Sequence, residues 1–254
     1  MQALLQVNKL SKRFGGVIAA DNVDLGVLPG QIVGLIGPNG AGKTTVFNMI
    51  TGFCEPSGGQ VLFGGQDITD YPPNRIAELG MTRTFQNIRL FAGLSVVENV
   101  LVGLHTKTRS GVLDAICKTS RHRHEEQASL DAAMDILGRL GLVDQANEAP
   151  ASLPYGDQRK VEIARALAGE PRILLLDEPA AGMNESETAE LRDFIGALTH
   201  DGVTVFLIEH DMKLVMSACD YVYVLDHGVM IAEGKPEEIQ RNPKVVEAYL
   251  GKGA

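Results

Sequence analysis

The stretch Gly37-Pro38-Asn39-Gly40-Ala41-Gly42-Lys43-Thr44-Thr45 has the glycine, lysine and hydroxyl spacing of a phosphate cradle. Glycines without a Cβ let backbone N–H groups turn toward phosphate oxygens. A helix starting at Lys43 points the positive end of its dipole at the same oxygens. Lys43 then reaches the β- and γ-phosphates of a nucleotide, and the Thr44 hydroxyl ligates Mg²⁺. The flanks agree with this reading. Gln31–Ile36 (QIVGLI) is a nearly continuous apolar run, as in a parallel strand covered on both faces. Lys43–Ile50 reads as a helix with Gly52 as its stop. Strand, glycine loop and helix form the context that such a cradle requires.

Further segments end in polar groups. ILLLDEP, residues 173–179, brings Asp177 and Glu178 to the end of a buried strand, the edge where ligands bind in open α/β sheets. Asp177 is suited to hold Mg²⁺ through water and Glu178 to polarise an attacking water. Two acids in a loop are otherwise commonly just exposed; the glycine loop elsewhere in the chain favours chemistry. Val205–Ile208 leads into Glu209 and His210. His210 can contact a γ-phosphate and orient water, although a histidine at a strand end is more often structural. Gln86, closing the strand pattern Met81–Phe85, carries little signal alone. Leu153-Pro154-Tyr155-Gly156-Asp157-Gln158-Arg159-Lys160 opens a helix with Val161, Ile163, Ala164 and Leu167 on one face. That is either another anion-binding helix end or an ordinary capped helix.

Alternating strands and helices must position these groups. Val23, Leu25 and Val27 alternate as a half-buried strand. Pro72-Pro73 opens a short helix, Ser95 and Glu98 form a capping box before another, and a long helical pattern runs through Leu130, Met134, Leu137 and Leu140 to Gly141. Asn184, with Glu187 three residues on, caps the next helix. Tyr221–Leu225 and Met230–Ala232 flank Asp226-His227-Gly228 as a hairpin, and Pro236 and Pro243 each open a terminal helix. The implied fold is an α/β sheet with helices on its faces, and the largely helical segment from about 90 to 155 reads as inserted between strand-bearing halves.

Composition narrows the function classes. With 254 residues, 44% of them hydrophobic, the chain can fill a core as one large domain or two small ones. The formal net charge of −9 argues against a non-specific nucleic-acid binder. Cys54, Cys117 and Cys219 are far apart and form no Cys-x-x-Cys pair, so neither a disulfide framework nor a zinc site is implied, and free thiols suit a reducing cytoplasm. No apolar run approaches the roughly 20 residues needed to span a bilayer, and MQALLQVNKLSKRF lacks a signal-peptide core. Work at a membrane would be done docked from the cytoplasmic side. The basic stretch 105–124 either touches anionic headgroups or is a solvated loop face.

In this order, these motifs resemble the ATP-binding cassette (ABC) family over essentially the whole chain. Gly37–Thr45 is similar to the Walker A loop, Gln86 to the Q-loop, Leu153–Gln158 to the signature, Ile173–Glu178 to Walker B, Ala180–Asn184 to the D-loop and His210 to the H-loop. Phe14 stands where the family places an aromatic that stacks on adenine; from sequence alone a core phenylalanine is the simpler reading. The resemblance implies a P-loop NTPase core with an antiparallel β subdomain (about 1–88 and 157–254) and an inserted α-helical subdomain (about 89–156). It implies catalysis by Glu178, His210 and Gln86, with Mg²⁺ held by Thr44, Gln86 and Asp177. ATP would be bound by Phe14, by Gly37, Pro38, Asn39, Gly40, Ala41, Gly42, Lys43, Thr44 and Thr45, and by Tyr155, Gly156 and Asp157 of a partner cassette in a head-to-tail dimer.

LSKRFGGVIAADNV, RTFQNIRLF, the Tyr-Gly-Asp-Gln-Arg signature, LDEPAAGMN, LIEHDMKLVM and NPKVVEAYLG are similar to the ATPase subunits of branched-chain amino acid importers. That implies two transmembrane permease subunits, a second paralogous ATPase or a second copy of this chain, an indirect periplasmic amino-acid-binding protein, and a place on the inner face of the cell membrane. Related importers of urea or short amides, lipopolysaccharide exporters and non-transport regulatory cassettes share much of the pattern. Two positions depart from it. The signature reads LPYGD instead of Leu-Ser-Gly-Gly-Gln, and Asn184 stands where the D-loop usually has aspartate.

Overall fold

The computed structural model describes residues 2–104 and 120–250, so the basic stretch 105–124 falls for the most part outside the described residues. The chain divides into two units, one of Met1–Arg83 with Arg172–Ala254, the other of Thr84–Pro171.

The first unit holds two sheets. In the larger, parallel strands β3 (Ile32–Ile36), β7 (Ile173–Asp177) and β8 (Thr204–Ile208) are buried at every residue, as their uninterrupted apolar runs require when both faces are covered. β6 (Met81–Arg83) and β9 (Tyr221–Asp226) extend this sheet, and β10 (Val229–Gly234) pairs antiparallel at its edge, giving the order β10-β9-β3-β8-β7-β6. His227 (φ 47°) and Gly228 (φ 82°) make the two-residue turn between β9 and β10, with the pair of positive φ values that matches strand twist. The smaller antiparallel sheet has the order β2-β1-β4-β5, built from β1 (Leu5–Phe14), β2 (Val17–Val27), β4 (Gly58–Phe63) and β5 (Gln66–Asp67). One core gathers Leu5, Val7, Leu10, Val23 and Leu25 of this sheet, Val46, Phe47, Met49 and Ile50 of helix α1 (Lys43–Ile50), and Val33, Leu175 and Phe206 of the larger sheet. The other helices are α2 (Pro73–Glu78), α6 (Glu185–His200), α7 (Met212–Ala218), α8 (Pro236–Gln240) and α9 (Pro243–Leu250). Asn184 caps α6: its side chain accepts from the Ser186 and Glu187 N–H groups, and Glu187 reaches back to the Asn184 N–H.

The second unit is helical. Helix α3 (Val96–Leu104), with its Ser95–Glu98 capping box, packs with α4 (Ser120–Arg139) and α5 (Tyr155–Ala168). At Gly103 a Cβ would collide with the Arg165 carbonyl, so α3 and α5 are in close backbone contact. The strand expected over Met81–Phe85 closes at Arg83. The reason lies in the second unit: the Phe85 N–H and C=O are bonded to Glu162 and Arg159 instead of to a neighbouring strand.

Candidate active site

In the first unit the loop between β3 and α1 is shaped by glycine. Gly37 (φ 154°) and Gly42 (φ 103°) sit against the Leu225 and Ala19 carbonyl oxygens, which a Cβ at either place would strike. Only glycine lets the loop pass so close in that conformation. No side chain caps the start of α1, which leaves its first N–H groups facing the loop interior. Lys43 is 6% exposed and donates to the Gly37 and Pro38 carbonyls at 2.6 and 3.1 Å. Burial pushes its pKa down, while the Glu178 and Asp177 carboxylates act in the other direction. The loop thus folds around its own ammonium group. Thr44 is exposed at the start of the helix.

The acids lie where the sequence pattern puts them. Asp177 closes β7 with its side chain 2% exposed, and its Oδ2 accepts from Arg83 Nη2 at 2.7 Å. Arg83 Nη1 also donates to Asn48 Oδ1 and Thr51 Oγ1, at 2.7 and 3.1 Å. One guanidinium therefore ties the end of β7 to α1 and the residue following it. Glu178 follows in a left-handed conformation (φ 49°), which costs a non-glycine residue about 1–2 kcal/mol. Its N–H donates to the Ile208 carbonyl, so pairing with β8 fixes the strained turn. His210 Nδ1 lies 3.7 Å from both Glu178 Oε2 and Glu209 Oε2. Glu209 is fully buried and accepts from the backbone N–H groups of Ala180, His210 and Asp211. Burial raises its pKa, and those N–H groups oppose the shift. Glu209 thereby fastens the turn carrying His210 to the turn after Glu178. Within this unit, Lys43, Asp177, Glu178 and His210 are brought together.

Phe14 is not a core residue. It is 52% exposed at the end of β1, beside exposed Val17 and Ile18, with Lys12 Nζ 5.1 Å from its ring centroid. It presents an open aromatic face.

The second unit holds the other expected residues. Tyr155, 46% exposed, starts α5 after Pro154, which supplies no side-chain cap. Gly156 is buried, and Asp157 pairs with Lys160 at 3.4 Å. Arg159 donates to the Gln86 carbonyl at 2.6 Å. Four buried charged groups were not among the residues expected from sequence: Arg83, Glu209, Arg159 and Glu162. A signal for them exists, because a charge within an apolar strand or on the packed face of a helix demands a partner.

The chain matches the ABC transporter family over residues 20–181 and the branched-chain amino acid ATP-binding cassette transporter family over residues 229–254. It is 49% identical, over 98% of both chains, to the high-affinity branched-chain amino acid transport ATP-binding protein LivG of Escherichia coli K12. Among solved structures it is similar to a nucleotide-free ATP-binding cassette from an ABC transporter (TM-score 0.86, 34% identity, covering 99% of this chain and 100% of the other). It is also similar to a dimeric post-hydrolysis cassette bound to ADP and Pi (TM-score 0.78, 26% identity, covering 91% and 98%). A glycine loop wrapped around its lysine, an acid pair closing a buried strand and matches of this extent leave one assignment: the chain belongs to the ABC transporter family, as an ATP-binding, ATPase member.

Proposed function

We propose that this chain is the ATP-hydrolysing subunit of an importer for branched-chain, hydrophobic amino acids. It would work on the inner face of the cell membrane against two transmembrane permease subunits fed by a periplasmic binding protein. Its cassette partner would be a paralogous ATPase or a second copy of itself. The observation that carries the reading is the 49% identity to LivG, which extends over 98% of both chains. Among the described residues no helix is long and apolar enough to cross a membrane, so the path for the amino acid is assigned to other chains.

In this reading Lys43 leaves the Gly37 and Pro38 carbonyls for the β- and γ-phosphate oxygens of ATP, which the N–H groups of residues 39–45 also receive. Phe14 stacks on adenine. Glu178 accepts hydrogen bonding from the attacking water, and the strained turn beneath it fixes its direction. His210 contacts the γ-phosphate, while Glu209 holds the backbone that carries it. Mg²⁺ suits the donors present, since a threonine hydroxyl and a carboxylate are hard oxygen ligands. Thr44 and Asp177 would hold it, with Gln86 as the further ligand that the family pattern implies. When bound, the ion neutralises developing charge on the phosphate oxygens. Tyr155, Gly156 and Asp157 serve the nucleotide of the partner cassette.

The test uses tagged Glu178→Gln protein, purified with ATP from gently solubilised native membranes, with co-purifying chains identified by mass spectrometry. Expected are retained ATP, lost turnover, two polytopic permeases and a cassette partner. Rapid turnover would remove Glu178 from its role. Recovery of the protein alone, or with ribosomes or DNA factors, would sink the transport reading.

A further inference from the structure

The largest fully buried side chain among the described residues is an arginine, Arg159, and neither the phosphate loop nor the acid pair uses it. It sits on α5 one turn after Tyr155 and three residues before Glu162, which is 1% exposed. The guanidinium donates to the Phe85 carbonyl at 2.5 Å, the Gln86 carbonyl at 2.6 Å, Glu162 Oε2 at 2.8 Å and the Tyr155 hydroxyl at 3.4 Å. Glu162 Oε1 accepts from the Phe85 and Arg89 N–H groups at 3.5 and 3.4 Å. Arg165 completes the grip by donating to the Arg89 carbonyl at 2.6 Å. Residues 85–89 are therefore held through their main chain at both ends, by charged groups from one helix.

A buried ion pair is a poor means of adding stability, because desolvation offsets most of its attraction. Burial indeed raises the Glu162 pKa against the pull of Arg159. What such a pair supplies is direction: a planar fork fixes two carbonyls and a carboxylate at once, which an apolar contact or a lysine cannot do.

We propose that the buried Arg159–Glu162 pair is a positioning device, fixing the backbone of Phe85–Arg89, and with it Gln86, to the helix that begins at Tyr155. The Gln86 carboxamide is then aimed by its main chain, and a displacement of α5 at Tyr155 is delivered to Gln86 without slack. The catalytic consequence rests on the role given to Gln86 above; the grip itself does not.

The experiment compares wild type, Arg159→Lys, Glu162→Gln, Gln86→Ala and the Arg159→Lys/Gln86→Ala double variant, with Leu137→Ala as a control for lost packing in the same unit. Backbone hydrogen exchange of residues 84–90 is read alongside nucleotide Kd and ATPase kcat. Arg159→Lys and Glu162→Gln should speed exchange in this segment and lower kcat by about 10- to 100-fold, the scale of small misplacements of a catalytic group, with Kd unchanged. Leu137→Ala should lower stability while kcat and exchange at 84–90 stay near wild type. The double variant should turn over no more slowly than Gln86→Ala alone. Unchanged exchange in both pair variants overturns the grip, and additive kcat losses overturn its action through Gln86. A Gln86→Ala protein as fast as wild type would instead remove the role of Gln86 and the catalytic consequence, while faster exchange in the pair variants would still uphold the grip.

Discussion

Replacing Arg83 by methionine tests how the end of β7 is held. The side chains of Arg83 and Asp177 are 5% and 2% exposed at a separation of 2.7 Å, so little solvent screening applies. Methionine keeps much of the aliphatic stem and removes the guanidinium, whose carbon lies 5.6 and 5.9 Å from the Phe47 and Phe53 ring centroids. Breaking a buried pair by deleting one partner costs about 3–5 kcal/mol, or roughly two to four decades in the folded-to-unfolded ratio. The hydrogen bonds to Asn48 and Thr51 are lost with it, which places the expected value in the upper half of that range. Adding Asp177→Asn removes the buried charge, so the double variant should recover at least about 1 kcal/mol relative to the sum of the singles. The chain has no tryptophan, so unfolding in urea is followed by far-ultraviolet circular dichroism, and midpoints are compared at constant m. A loss below about 1 kcal/mol for Arg83→Met, or single losses that simply add, would refute the pairing as the fastener of Asp177.

Nucleotide binding should depend on pH through Lys43. Burial depresses its pKa, so the empty protein binds fewer protons at this group than the unfolded chain does, and stability from this group rises with pH between the depressed value and the ordinary lysine value. Phosphate oxygens favour the ammonium form, so affinity should be highest below the depressed value and fall as pH rises through it. Calorimetric titration across that range checks the slope, and Lys43→Met should abolish it. Cys219 should be inert in the native state: burial pushes its thiol up to about 12, which leaves a thiolate fraction on the order of 10⁻⁴ at pH 8. Alkylation followed by peptide mass spectrometry should find Cys219 modified only after unfolding; modification at the rate of a free cysteine would contradict its burial.

The parts legible in the sequence are those that a single segment determines. The glycine loop, the buried runs that became β3, β7 and β8, the Ser95 and Asn184 capping boxes and the β9–β10 hairpin each follow from a short local pattern. The antiparallel sheet was expected from resemblance more than from its residues, and β1 shows why. Lys9 adopts a positive φ of 49°, and the pairing of β1 with β2 shifts register between Val7 and Leu10. Such a bulge breaks the alternation on which strand recognition depends. Arg83 was hidden for a different reason. A charge in an apolar strand announces that a partner exists, but the partner is 94 residues away in sequence, and only the pairing of β6 with β7 makes the two neighbours.

The two departures from the family pattern have different physical weight. Asparagine and aspartate are nearly equivalent helix caps, and Asn184 accepts the same N–H groups that an aspartate would. The change at that position removes a charge without loosening α6. In the role proposed for it, the LPYGD signature alters the anion site itself. Pro154 provides neither a hydroxyl nor an N–H, and Asp157 puts a negative charge in the first turn of α5, where the dipole would otherwise favour an incoming phosphate. Lys160, 3.4 Å from Asp157, offsets that charge in part. The Tyr155 hydroxyl is a side-chain donor at this end, and it acts as acceptor toward Arg159, which leaves its proton for a further partner. In the proposed roles, the arginine that steadies Gln86 also contacts, at 3.4 Å, the hydroxyl that stands in for the missing serine. A change at Arg159 should therefore be felt at the Tyr155 hydroxyl, and a change at Tyr155 at the guanidinium.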